Sequence, residues 1–328
     1  MNKIHINIVL IADRVNNHDD ATITSKTLEM VEDEYFNDIY NTLSSLTTKK
    51  IYHYMNPKIF LENIHKHKND IVLSIWSGVS SRNRKALIPS ICEAYNIKYV
   101  GADTYTQIIC QDKEMSKQIC KKYGIKTANY QLIKDKDNLN LLNFLKYPIV
   151  IKPNFEGGSI GISQKNLVYN FNDAEKMTLF LLETFNQPIL AEEFIDGEEI
   201  SILIIDKKQK IDMIEATVLY DTTNTLNLTK ILYDFELKKN TTIISEKIIT
   251  NELNKEILVN AINLFNSLDK VDIMRIDGRL HNNDFYCIEL SPDAYLGKDT
   301  TFALAYQHNN KTYSDMLFTL LNNSIESD

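Results

Sequence analysis

The sequence predicts an α/β protein, and three observations support this fold class. Short apolar runs rich in isoleucine and valine alternate with segments of helical period over residues 4–101, which is the pattern of a doubly wound sheet. The chain has 328 residues, 44% hydrophobic and 24% charged, as expected of a globular protein with two or three domains. Three of its nine glycines fall within residues 157–161, so glycine is concentrated where the backbone needs its freedom.

The N-terminal part of the chain is predicted to form a doubly wound α/β domain. Strands are predicted at four apolar runs, over 4–11, 51–55, 70–76 and 97–100. Helices are predicted where apolar residues recur every three or four positions, over 21–41, 59–67 and 86–95. The polar segment 12–20 follows the first strand, a position at which open α/β sheets bind ligands.

The remainder of the chain mixes helices with strands that short turns connect. A helix begins at Asp112 and ends before Gly124, because glycine readily adopts the conformation that terminates helices. Further helices are predicted over 139–145, 172–186 and 251–268, and from 314 onwards. Strands are predicted over 128–133 and 149–152, on both sides of the turn at 196–197, over 213–219, after the polar loop 220–230, and over 272–280 and 285–290.

The most distinctive segment is an apolar strand that ends at Lys152-Pro153 and opens into Glu156-Gly157-Gly158-Ser159-x-Gly161. Because glycine has no Cβ atom, backbone N–H groups here can approach a polyphosphate closely, and Lys152 adds a positive charge beside them. The spacing matches neither the P-loop pattern nor the dinucleotide-binding fingerprint. Taken alone, the loop is either a phosphate-binding loop or the turn of a β-hairpin.

Charge and composition argue against several classes of protein. With 36 basic and 44 acidic residues and a net charge of −8, the chain is not expected to bind nucleic acid. No apolar run reaches the length of about 18 residues that a membrane span needs, and the start is too polar for a signal peptide. We therefore expect a cytoplasmic protein that does not associate with membranes. Four cysteines without Cys-x-x-Cys spacing predict reduced thiols and no structural zinc: Cys92, Cys110, Cys120 and Cys287.

Arginine is rare in this sequence, in which lysine outnumbers it 31 to 5. Only arginine presents a planar fork of donors to a carboxylate or phosphate, so its positions are candidates for such contacts. Chance retention is the alternative explanation for at least two of them. The five positions are Arg14, Arg82, Arg84, Arg275 and Arg279.

Three charged residues near the C-terminus are predicted to lie on one face of a β-hairpin. Arg275 and Asp277 share a strand face because side chains alternate with a period of two. A four-residue turn then brings Glu289 of the next strand beside Asp277. Two facing carboxylates suit a Mg²⁺ ion shared with nucleotide phosphates. The alternative is a cross-strand salt-bridge network with Arg275.

Several motifs together resemble those of the ATP-grasp enzymes, and most of all the D-alanine:D-alanine ligases. They occur in the order and approximate spacing of that family: Asp112-Lys113, Ile151-Lys152-Pro153 with the glycine loop, Glu192-Glu193-Phe194-Ile195-x-Gly197-x-Glu199, Arg275-Ile276-Asp277 and Glu289-Leu290-Ser291-Pro292. The resemblance covers nearly the whole chain. It implies an α/β fold that is α+β in its ATP-grasp part. The implied domains are an N-terminal Rossmann-like pre-ATP-grasp domain over 1–103, a central ATP-grasp (lid) domain over 104–188 and a C-terminal ATP-grasp catalytic domain over 189–328.

The resemblance also implies an activity, in which ATP phosphorylates a carboxylate and an amine then attacks the acyl phosphate, with release of ADP. Carried over by position, the nucleotide would be bound by Lys113, Lys152, Glu156, Gly157, Gly158, Ser159, Glu192, Glu193, Ile195 and Glu199. Mg²⁺ would be bound by Asp277, Glu289 and Ser291. The catalytic residues would be Arg275, Lys152 and Ser159. These enzymes need no protein nucleophile, since phosphoryl transfer depends on positioning and electrostatics.

The departures from the family pattern lie mainly in the substrate half. Ser291 stands where the family has a metal-binding asparagine, with Asp293 as a possible substitute, and Gly158 stands where it has a serine. The family's lid lysine follows a Tyr-Asp segment, for which Tyr220-Asp221 with Lys230 is a candidate. Residues 18–22 and 76–84 replace two motifs of the amino-acid pockets. The candidate substrate residues are His18, Ser77, Arg82 and Thr300.

From these departures we expect substrates other than two D-alanines. Arg82 and Arg84 replace an acidic segment with a basic one, which favours an anionic substrate. The alternative is that both arginines are solvated residues at a helix start. The expected partners are small carboxylate and amine substrates, amino acids above all, and a homodimer would follow the family's habit. A second function class is an ATP-binding regulator that has lost ligation.

Overall fold

The computed structural model describes residues 3–78, 81–207, 210–239 and 243–326. Its N-terminal part contains a parallel sheet with strand order β4-β1-β5-β6. A separate pair, β2 and β3, lies beside it. The elements are β1 (Ile8–Ile11), β2 (Arg14–Val15), β3 (Val31–Glu32), α1 (Asp33–Leu46), β4 (Ile51–Tyr54), α2 (Pro57–Asn63), β5 (Ile71–Ser74), α3 (Leu87–Tyr95) and β6 (Lys98–Tyr99), with 3-10 turns at Lys26–Glu29, Ile64–Lys66 and Arg84–Ala86.

The helix predicted over 21–41 begins only at Asp33. The preceding residues form a 3-10 turn and the strand β3, in which Val31 pairs with Arg14. Val31 is buried in the N-terminal core, so pairing and burial at this point override the helical period of the sequence. The segment between β2 and α1 is therefore not α-helical, and its regular structure consists of the 3-10 turn and β3.

The middle part contains an antiparallel sheet with strand order β7-β10-β8-β9. Its elements are α4 (Thr104–Gln111), α5 (Lys113–Lys122), β7 (Tyr130–Ile133), β8 (Ile149–Pro153), β9 (Leu167–Val168), α6 (Phe171–Phe185) and β10 (Ile189–Glu193), with 3-10 turns at Lys136–Phe144 and Gln164–Asn166. The helix predicted over 139–145 is thus a 3-10 segment. The helix α4 was not predicted.

The C-terminal part contains a five-stranded antiparallel sheet with order β13-β12-β11-β14-β15. Its elements are β11 (Glu198–Asp206), β12 (Ile211–Asp221), α7 (Phe235–Lys239), β13 (Ile244–Ile248), α8 (Lys255–Asn266), β14 (Ile273–His281), β15 (Asp284–Ser291), α9 (Thr301–His308) and α10 (Tyr313–Glu326), with a 3-10 turn at Thr250–Glu252. The parallel and antiparallel sheets with their covering helices confirm the predicted α/β class.

The domain limits proposed at 103/104 and 188/189 stay predictions. The strand β10 pairs with β7 and β8 of the middle sheet, so we propose that the second limit lies a few residues later, at the turn Asp196-Gly197. One hydrophobic core joins the N-terminal and C-terminal parts, since Leu10 and Ile39 pack in the same cluster as Leu203. The middle sheet has its own core around Ile151.

Two predictions from composition can be compared with the structure. All four cysteines are free and buried, as expected of reduced thiols. In the described part of the chain no helix is both long enough and apolar enough to span a membrane.

Candidate active site

A cavity of about 1090 Å³ is lined by residues of the N-terminal, middle and C-terminal sheets. Most of the predicted site residues line it, namely His18, Ser77, Lys113, Lys152, Glu156, Gly157, Gly158, Ser159, Glu192, Glu193, Ile195, Glu199, Arg275, Asp277, Glu289, Ser291 and Thr300. Residues from all three parts of the chain are thereby brought together. Arg82 and Lys230 do not belong to the lining.

The glycine loop follows β8 and reaches into this cavity as a series of turns. Gly158 and Ser159 both have positive φ, +58° and +64°, a conformation that favours glycine. A Cβ atom at Gly157 would lie 2.5 Å from Glu29 Oε1, so the N-terminal segment packs directly on the loop. The strand β8 next pairs with β9, more than ten residues later. The loop is thus not the tight hairpin turn that was the alternative interpretation.

Lys113 is fixed beside the loop by the start of α5. Asp112 caps this helix by accepting from Glu114 N and Met115 N, and it also accepts from Asn154 Nδ2 at 2.8 Å. The Lys113 ammonium donates to the carbonyl of Glu156. It lies 3.2 Å from Glu289 Oε2.

Lys152 extends from the end of β8 to the carboxylate of Glu192 on β10. These residues are buried, with 2% and 5% of their surface exposed, and they form an ion pair. The second partner of Glu192 is Lys117 of α5, at 2.6 Å. Burial alone would raise the pKa of Glu192, but the two ammonium groups lower it to about 2. Burial lowers the pKa of Lys152.

Lys117 was not recognised in the sequence. It is 1% exposed, and its contacts are with Glu192 and with the carbonyl of Cys287. Because these partners are 75 or more residues away along the chain, no local pattern points to it.

The predicted cation site is built by β14 and β15. Asp277 pairs directly with Glu289, and Arg275 with Ser291. Arg275 donates to both carboxylate oxygens of Asp277, with Nε to Oδ1 at 2.8 Å and Nη2 to Oδ2 at 2.9 Å, and the Ser201 hydroxyl donates to Oδ1 at 2.7 Å. This ion pair lies within β14, whereas Glu289 on β15 pairs with Lys113, so the contacts differ from the cross-strand network with Arg275 that was the alternative.

The same residues also fit a magnesium ion. Mg²⁺ takes oxygen ligands and usually combines one or two carboxylates with the phosphates of a substrate, and Asp277 and Glu289 present such a pair on adjacent strands. Within the described ranges, no group of three or more His, Cys, Asp or Glu side chains is arranged to hold a metal by itself. Burial would raise the pKa of Glu289, but Lys113, Lys238 and other nearby cations lower it to about 2.

The cavity is covered by residues 225–238, here called the cover segment. Its lining members are Leu232, Tyr233, Phe235 and Lys238. Lys238 is close enough to Glu289 to lower its pKa. Lys230, the candidate from the sequence, is instead paired with Asp196 and more than half exposed. The lysine that follows a Tyr-Asp pair and faces the cavity is thus Lys238, after Tyr233-Asp234 rather than Tyr220-Asp221.

The N-terminal side of the cavity holds a network of five charged residues. Arg84 Nη2 lies 2.6 Å from Glu29 Oε2 and 3.1 Å from Glu156 Oε2. Lys85 Nζ lies 3.2 Å from Glu29 Oε1 and 2.6 Å from Asp293 Oδ2. Burial would raise the pKa of Glu29, but Lys85 and Arg84 lower it to about 2. We call this set the charge network; Glu29 and Lys85 were not recognised in the sequence.

The interpretation of Arg82 and Arg84 as solvated residues at a helix start is wrong for Arg84 and agrees with the structure for Arg82. Arg84 is 5% exposed, so it is not a solvated helix-start residue, and its partners are carboxylates of the chain. Arg82 is exposed, with its guanidinium 5.2 Å from the centre of the Phe155 ring.

The other substrate candidates make contacts within the chain. His18 Nε2 lies 3.0 Å from the carbonyl of Met30, and the Ser77 hydroxyl lies 3.4 Å from the carboxylate of Asp13. The Thr300 hydroxyl donates to the carbonyl of Gly297 at 2.7 Å.

Comparison with known proteins identifies the family of this chain. A family model described as D-ala D-ala ligase C-terminus matches residues 119–322. The chain belongs to the D-alanine–D-alanine ligase family. This result confirms the resemblance that was inferred from the motifs.

Curated relatives agree with the family. The chain is 28% identical to a D-alanine–D-alanine ligase of Wigglesworthia glossinidia brevipalpis over 231 residues, 68% of this chain and 62% of that protein. It is 32% identical to the D-alanine–D-alanine ligase A of Bacillus cereus over 157 residues, 47% of this chain and 50% of that protein. The matched region thus spans between 50% and 62% of the length of these relatives, less than two thirds.

Solved structures share the fold over nearly the whole length. A Bacillus anthracis D-alanine–D-alanine ligase complexed with ATP has a TM-score of 0.71 and 21% identity, covering 98% of each chain. The VanG D-Ala:D-Ser ligase of Enterococcus faecalis has a TM-score of 0.71 and 16% identity, covering 99% of this chain and 100% of that one. The predicted ATP-grasp fold is confirmed. The expectation of substrates other than two D-alanines is not supported, since the curated relatives are named D-alanine–D-alanine ligases.

Proposed function

We propose that this chain is an ATP-dependent, ADP-forming ligase that joins two amino acids or related small substrates through an acyl phosphate. The observation that carries the proposal is the convergence in one cavity of Lys113, Lys152, Lys238, Arg275 and the facing carboxylates on β14 and β15. Transfer of a phosphoryl group needs cations aimed at developing negative charge, and it needs little covalent chemistry from the protein. Family membership supports the same activity.

The nucleotide would be held between the middle and C-terminal sheets. Lys113 and Lys152 would neutralise its phosphates, with the glycine loop 156–159 lying over them. Glu192 would accept a hydrogen bond from the adenine amino group, and the backbone of Glu193 and Ile195 would complete that edge. Glu199 would bind the ribose hydroxyls. The ion pair of Lys152 with Glu192 supports this assignment, because it holds the cation in place before any ligand arrives.

Asp277 and Glu289, together with Ser291, are the proposed magnesium ligands. A bound Mg²⁺ would neutralise charge on the nucleotide phosphates. Arg275 would stabilise negative charge on the transferring phosphoryl group and on the tetrahedral intermediate, and Lys238 would do so from the cover segment. Ser159 would orient the group being transferred.

D-alanine is the first substrate to test, because the relatives that the chain matches are named for it. The hypothesis of an anionic substrate depended on Arg82 and Arg84. Arg84 is paired with Glu29 and Glu156, so its charge is already balanced, and Arg82 lies outside the cavity lining. Neither arginine therefore favours an anion over D-alanine. His18, Ser77 and Thr300 stay proposed substrate contacts.

The test is release of ADP from Mg·ATP in a coupled assay, with D-alanine, D-serine and other D- and L-amino acids offered singly and in pairs. Mass spectrometry of the products then identifies the bond formed. Turnover with a pair, and a product mass equal to the two amino acids less one water, supports the ligase. ATP binding without turnover for any pair would instead favour the ATP-binding regulator.

A further inference from the structure

Arg279 on β14 is a buried arginine to which neither the family motifs nor the proposed chemistry gives a role. It is 3% exposed. Its guanidinium lies 2.6 Å from Glu199 Oε1 and 4.5 Å from the centre of the Phe194 ring. It also donates to backbone carbonyls, those of Ile195 at 3.1 Å, Thr229 at 3.0 Å, and Ile231.

These contacts join two segments that are separate along the chain. Ile195 and Glu199 belong to the segment 194–199, which contains the turn between β10 and β11 and the first residues of β11, and which we propose as the adenine and ribose edge. Thr229 and Ile231 belong to the cover segment. One guanidinium group therefore fastens the cover segment to the proposed nucleotide edge.

The turn itself is seated on β14, which explains why position 279 can reach both segments. Glu199 pairs with Arg279 in the sheet register, and a Cβ atom at Gly197 would lie 2.3 Å from the carbonyl of Leu280. This close approach brings the carbonyls of the turn over the strand. Arg279 extends from the same strand toward the cover segment.

Lysine cannot make this set of contacts. A guanidinium has five N–H donors in a fixed plane, whereas an ammonium is a point charge with three. At position 279 the guanidinium group donates to the Glu199 carboxylate and to carbonyls of two segments, and it lies over the Phe194 ring. In a sequence in which lysine outnumbers arginine 31 to 5, this accounts for the use of arginine at position 279.

We infer that Arg279 is a positioning residue for the nucleotide, which acts through Glu199 and through the backbone of the cover segment. The inference rests on the proposed function, since it takes the turn 194–199 as the nucleotide edge. By holding the cover segment against that edge, Arg279 lowers the cost of ordering it when ATP binds.

The variant Arg279→Lys keeps the positive charge and removes the planar set of N–H donors. The matched control is Arg14→Lys, because Arg14 also pairs with a carboxylate, Asp33 at 2.5 Å, and lies over a ring, Phe36 at 4.1 Å, outside the cavity lining. Two quantities are measured in the full-length protein. They are the kinetic constants for ATP, and the rate at which trypsin cuts after Lys230, followed by mass spectrometry without nucleotide.

We expect Arg279→Lys to raise the KM for ATP about tenfold, as for the loss of hydrogen bonds to a charged group, and to change kcat less. Cleavage after Lys230 should become faster, because Ile231 loses its partner. Arg14→Lys should alter neither quantity. A folded Arg279→Lys protein with wild-type cleavage after Lys230 would overturn the inference.

A second variant covers the case in which Arg279→Lys does not fold. Phe194→Leu removes the stacking ring and keeps the charged contacts, so it should show the same two changes in weaker form, and wild-type values in it would also overturn the inference. If the wild-type protein shows no ATP binding and no turnover, the proposed function fails. The nucleotide-free cleavage comparison then still decides whether Arg279 fastens the cover segment.

Discussion

At the residue scale, the candidate site depends on buried charges that balance one another. Glu192 is shared by Lys117 and Lys152. Breaking a buried pair is costly because the remaining charge is left desolvated and uncompensated. Since Glu192 has two cations, replacement of Lys152 leaves Lys117 as its partner, and the fold should survive the change.

Lys152→Met is therefore expected to abolish ADP formation while leaving a folded protein. The change removes the ammonium proposed for the nucleotide phosphates and retains an apolar side chain of similar length. The control is Lys165→Met, at an exposed position of the same sheet region, which should behave as wild type in the coupled assay. Near-normal turnover of Lys152→Met would contradict the site assignment.

The two lysines of the cover segment allow a comparison. Lys238→Met should lower kcat by about a hundredfold, the usual loss when one stabilising donor is removed from a developing charge. Lys230→Met should leave kcat close to wild type, because Lys230 is paired with Asp196 outside the cavity lining. The measurement is kcat of both variants at saturating ATP. A large loss of kcat in Lys230→Met with a near-normal kcat in Lys238→Met would identify Lys230 as the lid lysine instead.

The residues that sequence reasoning found are those within recognisable motifs, such as Lys113, Lys152 and Asp277. Those it missed, such as Lys117, have partners far away along the chain. Lys238 is different, because a signal existed. The sequence contains two Tyr-Asp pairs, and the second one, Tyr233-Asp234, is followed by the lysine that faces the cavity.

At the scale of elements, strands were easier to predict than helices. The strands β1 and β8 follow dense apolar runs and are buried along their whole length, as expected of runs that a sheet must bury. The helix α4 was missed because its sequence, Thr104 to Gln111, is rich in threonine, tyrosine and isoleucine, which favour strands. Tertiary burial of Ile109 and Cys110 and a cap at Asp103 make it helical.

Two helix caps allow a prediction about how an element positions the site. Asp112 caps α5 and accepts from Asn154, which precedes the glycine loop, whereas Asp103 caps α4 by accepting from Thr106 N at 2.7 Å. Neither carboxylate lines the cavity, but Lys113, which follows Asp112, does. Replacement of either by alanine should cost about 1 kcal/mol of stability, the usual value of a cap. Only Asp112→Ala should also raise the KM for ATP, because Lys113 follows it.

Urea unfolding and kinetics with varied ATP measure the two effects separately. Equal changes in KM for Asp112→Ala and Asp103→Ala would show that α5 does not position Lys113 through its cap. A change in stability alone for both would lead to the same conclusion.

At the scale of the whole molecule, the charge network ties the three parts together. In the N-terminal part, Glu29 lies between β2 and α1, and Arg84 and Lys85 precede α3. Glu156 belongs to the glycine loop of the middle part, and Asp293 follows β15 in the C-terminal part. The sequence does not predict this network, because the network depends on the path of residues 21–32. The helical period of the sequence predicts a helix there, whereas α1 begins only at Asp33. The motifs gave the order of the parts, whereas the contacts between them arise only from packing.

Arg84→Met should therefore destabilise the whole molecule, since it leaves Glu29 and Glu156 with one cation fewer in a buried site. A loss of about 3–5 kcal/mol is expected for a broken buried pair, measured by urea unfolding at pH 7. Arg82→Met is the matched control, two residues away and exposed, and should change the stability by no more than about 0.5 kcal/mol.

The difference in stability between wild type and Arg84→Met should depend on pH if it arises from the ion pairs of Arg84. The pKa of Glu29 is lowered from 4.5 to about 2 in the folded protein, so its stabilising contribution is present above pH 4.5 and is lost as the pH falls toward 2. Since a protonated Glu29 needs no cation, the gap in stability between wild type and Arg84→Met should narrow as the pH is lowered from 5 to 3. A gap that stays constant over this range would mean that Arg84 stabilises the molecule by packing and not by its ion pairs.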